Sequence, residues 1–316
     1  MPDLTALVTA NTLNLRRDPS TAKPPLAKLS RGTRLKILEI AELWYEVDSP
    51  KGRGFVHGDF VSVVDPSPAD GFLHEREDLK ALPLEPAEAD RIQAPSGATF
   101  HQKGLARTWN RQGGLLGTLS DLLDTEAAAG VAVLYTESSG SGFAGDGRMT
   151  IRFENHVFWR RWGKQHPEIF RRHFTFDDSR SWQGHKFRVS PNGAWQTFHG
   201  KQSEEWKVLD FARGLDEDAA LRSISMGAPQ IMGFNHSTIG YETPREMFDN
   251  FTADVRFHIL GLFDFMKGPG CCSPMIDALR RKNFEDFAAR YNGPGQADVY
   301  GHRIAQYREI FLELKG

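Results

Sequence analysis

Between residues 4 and 64, apolar positions come in short runs that alternate with polar ones and are cut by turn residues. Segments 4–10, 35–39, 44–47, 54–56 and 60–64 read as strands, and Asn14-Leu15-Arg16 runs into a turn at Asp18-Pro19-Ser20. Ser30-Arg31-Gly32 and Ser49-Pro50-Lys51-Gly52 supply two further turns, and this spacing predicts a small all-β barrel. Beyond about residue 93 the period lengthens. Leu115, Leu116, Leu119, Leu122 and Leu123 recur at helical spacing, and Thr125-Glu126 opens a second apolar helix that runs through Val131, Val133 and Leu134 to Tyr135. Met149, Ile151 and Phe153 alternate with polar residues, as in a strand at the edge of a small hairpin. Stretches 210–221, 244–265, 273–291 and 300–314 predict further helices.

The two regions are joined by 65–92, which carries Pro66, Pro68, Pro83 and Pro86 and eight acidic residues against three basic ones. That composition predicts an exposed linker with at most a short helix. The boundaries expected are therefore 1–66, 67–92 and 93–316. The chain has 316 residues, 40% hydrophobic and 25% charged, so neither a disordered chain nor a collagen-like one is expected. No apolar run approaches the roughly 18 residues of a membrane helix. A net charge of −2 argues against a polycation that coats nucleic acid or anionic lipid. The two cysteines, Cys271 and Cys272, are adjacent and poorly placed to bridge each other, which fits folding in a reducing compartment. The N-terminus lacks a basic stretch followed by an apolar core, so synthesis in the cytoplasm without a signal peptide is expected.

Three stretches carry candidate chemistry. In Tyr135-Thr136-Glu137-Ser138-Ser139-Gly140, a carboxylate ends an apolar helix and small residues follow. Partial desolvation and the negative end of the helix dipole both raise such a carboxyl, suiting it to protonate a leaving oxygen. On position alone, a solvated Glu at a helix end is the alternative. Residues 223–236 mix Gly227, Gly233, Ser225, Gln230 and Asn235 into an apolar run, and their amides suit a sugar ligand or a buried turn. Tyr291-Asn292-Gly293 reads as a helix end whose tyrosine could flank a sugar or cap the core.

Taken in order, Glu137-Ser138, Gly227-Ala228-Pro229-Gln230 and Tyr291-Asn292-Gly293 resemble the goose-type lysozyme and lytic transglycosylase superfamily. More closely, residues 105–312 are similar to the N-acetylmuramidase domain of phage endolysins and related bacterial wall-lytic proteins. The strings that carry this are ARTWNRQGGLL, ESSGSGFAGDGRMTIRFENHVF, SISMGAPQIMGFNHSTIGY and FAARYNGPGQADVYG. The resemblance implies a mainly α-helical, lysozyme-like domain with a small β-hairpin. It also implies cleavage of the β-1,4 bond between N-acetylmuramic acid and N-acetylglucosamine, with Glu137 as general acid and no cofactor. Substrate contacts are expected from Ser138, Ser225, Gln230, Asn235, Tyr291 and Asn292.

The second carboxylate stays open between Glu154, slightly favoured because strand alternation turns it away from Phe153, and Asp146 in its Gly-rich loop. Either could instead be structural, paired with Arg148 or Arg152. A single acid would leave room for a lytic transglycosylase, which ends in an anhydro sugar, and a wall-binding protein without turnover is the non-enzyme alternative. Leu13–Ser20 with Gly32-Thr33, Trp44-Tyr45-Glu46-Val47, Gly54-Phe55-Val56 and Phe60-Val61 looks like a bacterial SH3-type domain, which implies cell-wall binding.

Residues 156–190 hold eight Lys/Arg against three Asp/Glu, with Trp159, Trp162 and Trp182 interleaved. This fits attraction to anionic wall polymer, or solvated helix faces over core tryptophans, better than nucleic acid. The 11 histidines show no H-E-x-x-H spacing, so His156, His173 and His185 are expected to be structural and no metal is expected. The expected partner is bacterial peptidoglycan in the periplasm or outside the cell, with an inhibitor or immunity protein if the chain is an injected toxin.

Overall fold

The computed structural model describes residues 4–41, 43–64, 70–268 and 273–316. Cys271 and Cys272 lie outside the described residues. The N-terminal region consists of β1 (Leu4–Val8), β2 (Thr12–Leu15), β3 (Ala27–Ser30), β4 (Arg34–Ala41), β5 (Trp44–Ser49), β6 (Gly52–His57) and β7 (Val61–Val64). Five of these form an antiparallel sheet in the order β6-β5-β4-β1-β7, and β2 pairs with β3. An isolated bridge, Arg16 to Phe55, ties the β2 end to β6. Alternation points Ala6, Val8, Leu13, Leu15, Leu29, Leu35, Ile37, Val47 and Val56 into one small core. At Gly54 an added Cβ would lie 2.6 Å from the Arg16 carbonyl, so this bridge requires glycine. The expected barrel is present.

The remaining chain folds as α1 (Glu77–Lys80), α2 (Phe100–Leu122), α3 (Ala127–Ser138), β8 (Ile151–Phe153), α4 (Asn155–Phe158), α5 (Pro167–His173), β9 (Phe174–Thr175), β10 (Lys186–Phe187), α6 (Gln202–Leu215), α7 (Glu217–Arg222), β11 (Ile224–Met226), β12 (Ile231–Met232), α8 (Pro244–Ala253), α9 (Val255–Lys267), α10 (Pro274–Arg280), α11 (Phe284–Tyr291) and α12 (Ala297–Lys315). A π-helical turn, Trp159–Gly163, follows α4. Helix α2 starts at a capping box. Thr99 accepts from the Gln102 backbone N–H, and the Gln102 side chain accepts from that of Thr99.

The expected helices form, but three of the four later stretches are split or overrun at cap residues that periodicity ignores. Asp254 accepts from the Arg256 N–H and separates α8 from α9. Asp216 accepts from the Ala219 N–H and begins α7. Lys282 takes a left-handed φ of 57°, and Asn283 caps α11. Two short pairings escape the apolar pattern: the β9–β10 hairpin, and the hairpin β11–β12, which joins β8 in a three-stranded sheet of order β12-β11-β8. As expected, β8 is an edge strand of that sheet.

Two cores fill this region. One lies among α2, α3, α9, α10, α11 and α12. The other lies among the β8 sheet, the π-helical turn, α5, α6, α7 and α8 and holds Trp162 and Trp206. Trp162 is buried and Trp182 is exposed, so the basic stretch mixes core and surface tryptophans.

Segment 70–92 departs from the expected exposed linker. Most of its charges are at least partly exposed, but Leu73, Leu79 and Ile92 are buried in the first helical core. The buried Asp264 carboxylate accepts from the Leu73 and His74 backbone N–H groups and faces His74 Nδ1 at 3.0 Å. Acidic, proline-rich composition hides three apolar anchors spaced too widely to form a period. The barrel reaches this segment through Arg34, whose Nε lies 2.6 Å from Asp70 Oδ1.

Candidate active site

Helix α3 is apolar on nearly every face, with Ala128 through Tyr135 all buried, so it runs as a rod between packed neighbours. Glu137 sits in its last turn. The helix stops because Ser139 turns left-handed, at φ 53°, and Gly140 follows at φ 74°. A Cβ at Gly140 would lie 2.1 Å from Thr108 Oγ1, so the chain leaves α3 pressed against α2. Glu137 keeps part of its surface open, yet burial raises its carboxyl from the ordinary 4.5 to about 7. Asn292 Nδ2 donates to Glu137 Oε1 at 3.0 Å, which favours the anion but does not offset the burial. The carboxyl is thus half-protonated near neutral pH and has a fixed orientation, as proton donation to a leaving oxygen requires.

The three sequence stretches meet around this group. Tyr291, the last residue of α11, donates its hydroxyl to the Pro229 carbonyl at 3.0 Å, linking the Asn292 turn to the β11–β12 hairpin. Burial and the nearby Glu137 charge push the Tyr291 phenol well up. Within the hairpin, Gln230 takes a left-handed φ of 51°. Ser225 Oγ donates to Gln230 Oε1 at 2.7 Å, and Gln230 Nε2 donates to the Gly227 carbonyl at 2.8 Å. Ser225 and Gln230 therefore shape the turn. Ser138 Oγ, next to Glu137, is buried without a hydrogen-bond partner among the described residues. Asn235 is partly buried on the 3-10 segment Gly233–Ile239, and no hydrogen bond among the described residues ties it to Glu137.

Both expected second carboxylates are engaged. Asp146 accepts from the Arg148 backbone N–H at 3.1 Å, from its Nε at 2.9 Å and from its Nη2 at 2.7 Å, so Arg148 holds its carboxyl below the usual range. Phe153 is fully buried, and Glu154 follows the end of β8 as the cap residue before α4. It accepts from Arg152 Nε at 2.8 Å and packs beside His156 and His185. Burial alone would raise this carboxyl, but His156, His185 and Arg152 together pull it below the ordinary value. His173 faces the Arg188 carbonyl through Nδ1 at 3.0 Å.

Two residues that the sequence reading passed over belong here. His258, on α9, is fully buried, and burial lowers it to about 4, so it is neutral at pH 7. Its Nε2 donates to the Phe251 carbonyl at 2.7 Å, leaving Nδ1 to accept from the Ala228 N–H at 3.2 Å. Phe143 stacks on this ring, and a Cβ at Gly142 or Gly227 would come within 2.3 or 2.8 Å of it. His258 thereby clamps the loop after Glu137 to the Gly227–Gln230 turn. Tyr300, in the first turn of α12, has its phenol raised by burial and then by the Glu137 charge, and it also feels Arg152. Tyr300 stands in the FAARYNGPGQADVYG string, but its place beside the acid depends on how α12 docks.

A carboxyl poised near neutral pH, beside a sheet hairpin in a mainly helical region that follows an N-terminal barrel, is a candidate general-acid site. The N-acetylmuramidase family pattern matches residues 126–311, and the chain belongs to that family. It is a peptidoglycan-lytic enzyme, and residues 11–62 match the bacterial SH3 domain. A crystal structure of a Burkholderia AP3 phage endolysin is similar at 24% identity and a TM-score of 0.49, covering 63% of this chain and 70% of that one. No curated protein matches the chain. Among the described residues, no helix is long and apolar enough to cross a membrane.

Proposed function

We propose that the enzyme cleaves the β-1,4 bond between N-acetylmuramic acid and N-acetylglucosamine, with Glu137 protonating the leaving oxygen. The observation that carries this reading is the Glu137 carboxyl, raised to about 7 by burial and aimed by Asn292. A group with that pKa holds its proton in about half of the molecules at pH 7 and releases it readily in the transition state. Tyr291 and Tyr300 lie within electrostatic reach of the acid, and with Ser138 next to it in sequence they are proposed to face the sugar. Glu137→Gln keeps shape and removes the proton, so muralytic turnover should fall by about 10²–10⁴-fold with the fold retained. Undiminished clearing of purified walls by that variant would overturn the assignment. For the wild type, kcat/KM should decline as pH rises through about 7, as the acid loses its proton.

A second reading is favoured by one observation, the engagement of Asp146 by Arg148 and of Glu154 by Arg152. With neither carboxylate free to activate water or attack the sugar, the muramic acid's own hydroxyl could close on the anomeric carbon, as in a lytic transglycosylase. Mass spectrometry of the products separates the two routes. Reducible muramic ends mean hydrolysis, and anhydro ends mean transglycosylation. The proposed division of labour is a wall-binding unit at 1–66, a connecting segment at 67–92 and a catalytic unit at 93–316.

A further inference from the structure

A second group of chemically capable side chains gathers where β8 meets the segment after β9. Glu154 follows β8, His156 lies in α4, His185 precedes β10, and His199 precedes α6. Glu154 Oε2 is 3.3 Å from His156 Nδ1 and 3.4 Å from His185 Nδ1, and His199 Nε2 is 2.9 Å from the same His185 nitrogen. One donor atom each from Glu154, His156 and His185 falls within 4.8 Å of the others. The His185 side chain is fully buried, and Glu154 Oε2 and His156 Nδ1 are buried and, apart from facing each other and His185 Nδ1, have no hydrogen-bond partner among the described residues.

The outer faces of these rings fix where their protons sit. His185 Nε2 lies 2.8 Å from the Ser181 carbonyl, which can only accept, so Nε2 carries the hydrogen. His199 Nδ1 lies 2.8 Å from Glu205 Oε1, and the other oxygen of that buried carboxylate accepts from the Phe153 N–H. Nδ1 of His199 therefore carries its hydrogen. In their neutral forms, His185 Nδ1 and His199 Nε2 present bare lone pairs to each other at 2.9 Å, with the Glu154 carboxylate close to the first. Such an arrangement of electron pairs repels unless a cation sits among them. Imidazoles oriented from behind by a carbonyl and a carboxylate, converging with one further carboxylate, are the donor set of a zinc-like ion.

We propose that Glu154, His156 and His185 bind one divalent transition-metal ion of the zinc class, with His199 beside it. Two of the three donor–donor spacings, 3.3 and 3.4 Å, match the edges of a tetrahedron with bonds of about 2.0–2.1 Å, and the third lies within 4.8 Å. The site joins the rigid β8–α4 corner to residues 176–201, a stretch whose regular structure is limited to the two residues of β10. Its role is structural. The ion pins this stretch to the strand that carries Arg152, and Glu154 serves the ion and Arg152 rather than the sugar.

The test uses the full chain, stripped with chelator and dialysed, then titrated with zinc chloride at neutral pH by calorimetry and checked by elemental analysis. One zinc per chain is expected, with a rise in melting temperature and slower tryptic cleavage at Arg180, Lys186 and Arg188. Cobalt in place of zinc should give the strong visible absorption of a tetrahedral ion. Glu154→Gln and His156→Gln, each checked for fold by circular dichroism, should weaken binding by about 100-fold or more and abolish the protection. Two results would overturn the proposal. One is a folded wild type that takes up no stoichiometric zinc and gains no protection, which would leave a shared proton between His185 and His199 as the cation. The other is zinc uptake that both variants retain.

Discussion

With Glu137 as the proposed acid, one side chain links catalysis to stability. Its carboxyl titrates near 4.5 when solvated and near 7 in the folded protein. Below 4.5 both states are protonated and the group is neutral to folding. Between 4.5 and 7 the unfolded chain ionises first, so the native state loses relative stability as pH rises. Above 7 that loss is complete, at most about 3 kcal/mol and less because the side chain keeps some contact with water. Glu137→Gln should therefore stabilise the protein by about 1–3 kcal/mol at pH 8 and leave it nearly unchanged at pH 4, by denaturant unfolding at both. An equal effect at the two pH values would show that the raised carboxyl is not the cause. The same substitution should remove activity, so the fold gives up stability to hold its acid.

Among elements, legibility follows how local the determining forces are. The stripes that predict α2 and α3 depend on neighbours three and four residues apart, and both helices form where expected. The acid at the end of α3 is readable for the same reason, since an apolar helix closing on Glu-Ser-Ser-Gly is a local pattern. The splits at Asp216, Asp254 and Asn283 come from single caps whose worth, about 1 kcal/mol each, leaves no mark on periodicity. His258 is illegible from its own helix. It is one polar residue in an apolar run, and its meaning lies in two glycines far away in sequence that meet its ring. The His156–His185 cluster hides likewise, because its members come from separate elements. The His258 clamp predicts that Gly142→Ala pushes a methyl into the ring, costing about 1–3 kcal/mol and displacing the loop after Glu137. Melting temperature and wall-clearing rate should both fall. A variant with wild-type values for both would show that the loop absorbs the methyl freely.

In the whole molecule, the barrel has its own core, separate from the two cores of the enzyme. The segment between them is anchored at the helical end, where Leu73 and His74 donate to Asp264, and meets the barrel through Asp70 with Arg34 and Thr5. Neither contact involves Glu137, Asn292 or the Gly227–Gln230 turn. The barrel is proposed to act as a tether that holds the enzyme near an insoluble polymer. Linked binding of this kind raises the local concentration of enzyme at its substrate by orders of magnitude, an advantage that disappears when the substrate is small and dissolved. Removing residues 1–66 should accordingly lower co-sedimentation with purified walls by about 10-fold or more, while turnover of a short soluble glycan stays within about 2-fold of the full chain. Equal loss on both substrates would mean that the barrel supports the fold of the enzyme. Unchanged sedimentation would place the wall affinity on the helical unit, where Trp182 and the basic stretch 156–190 would be the next surface to test.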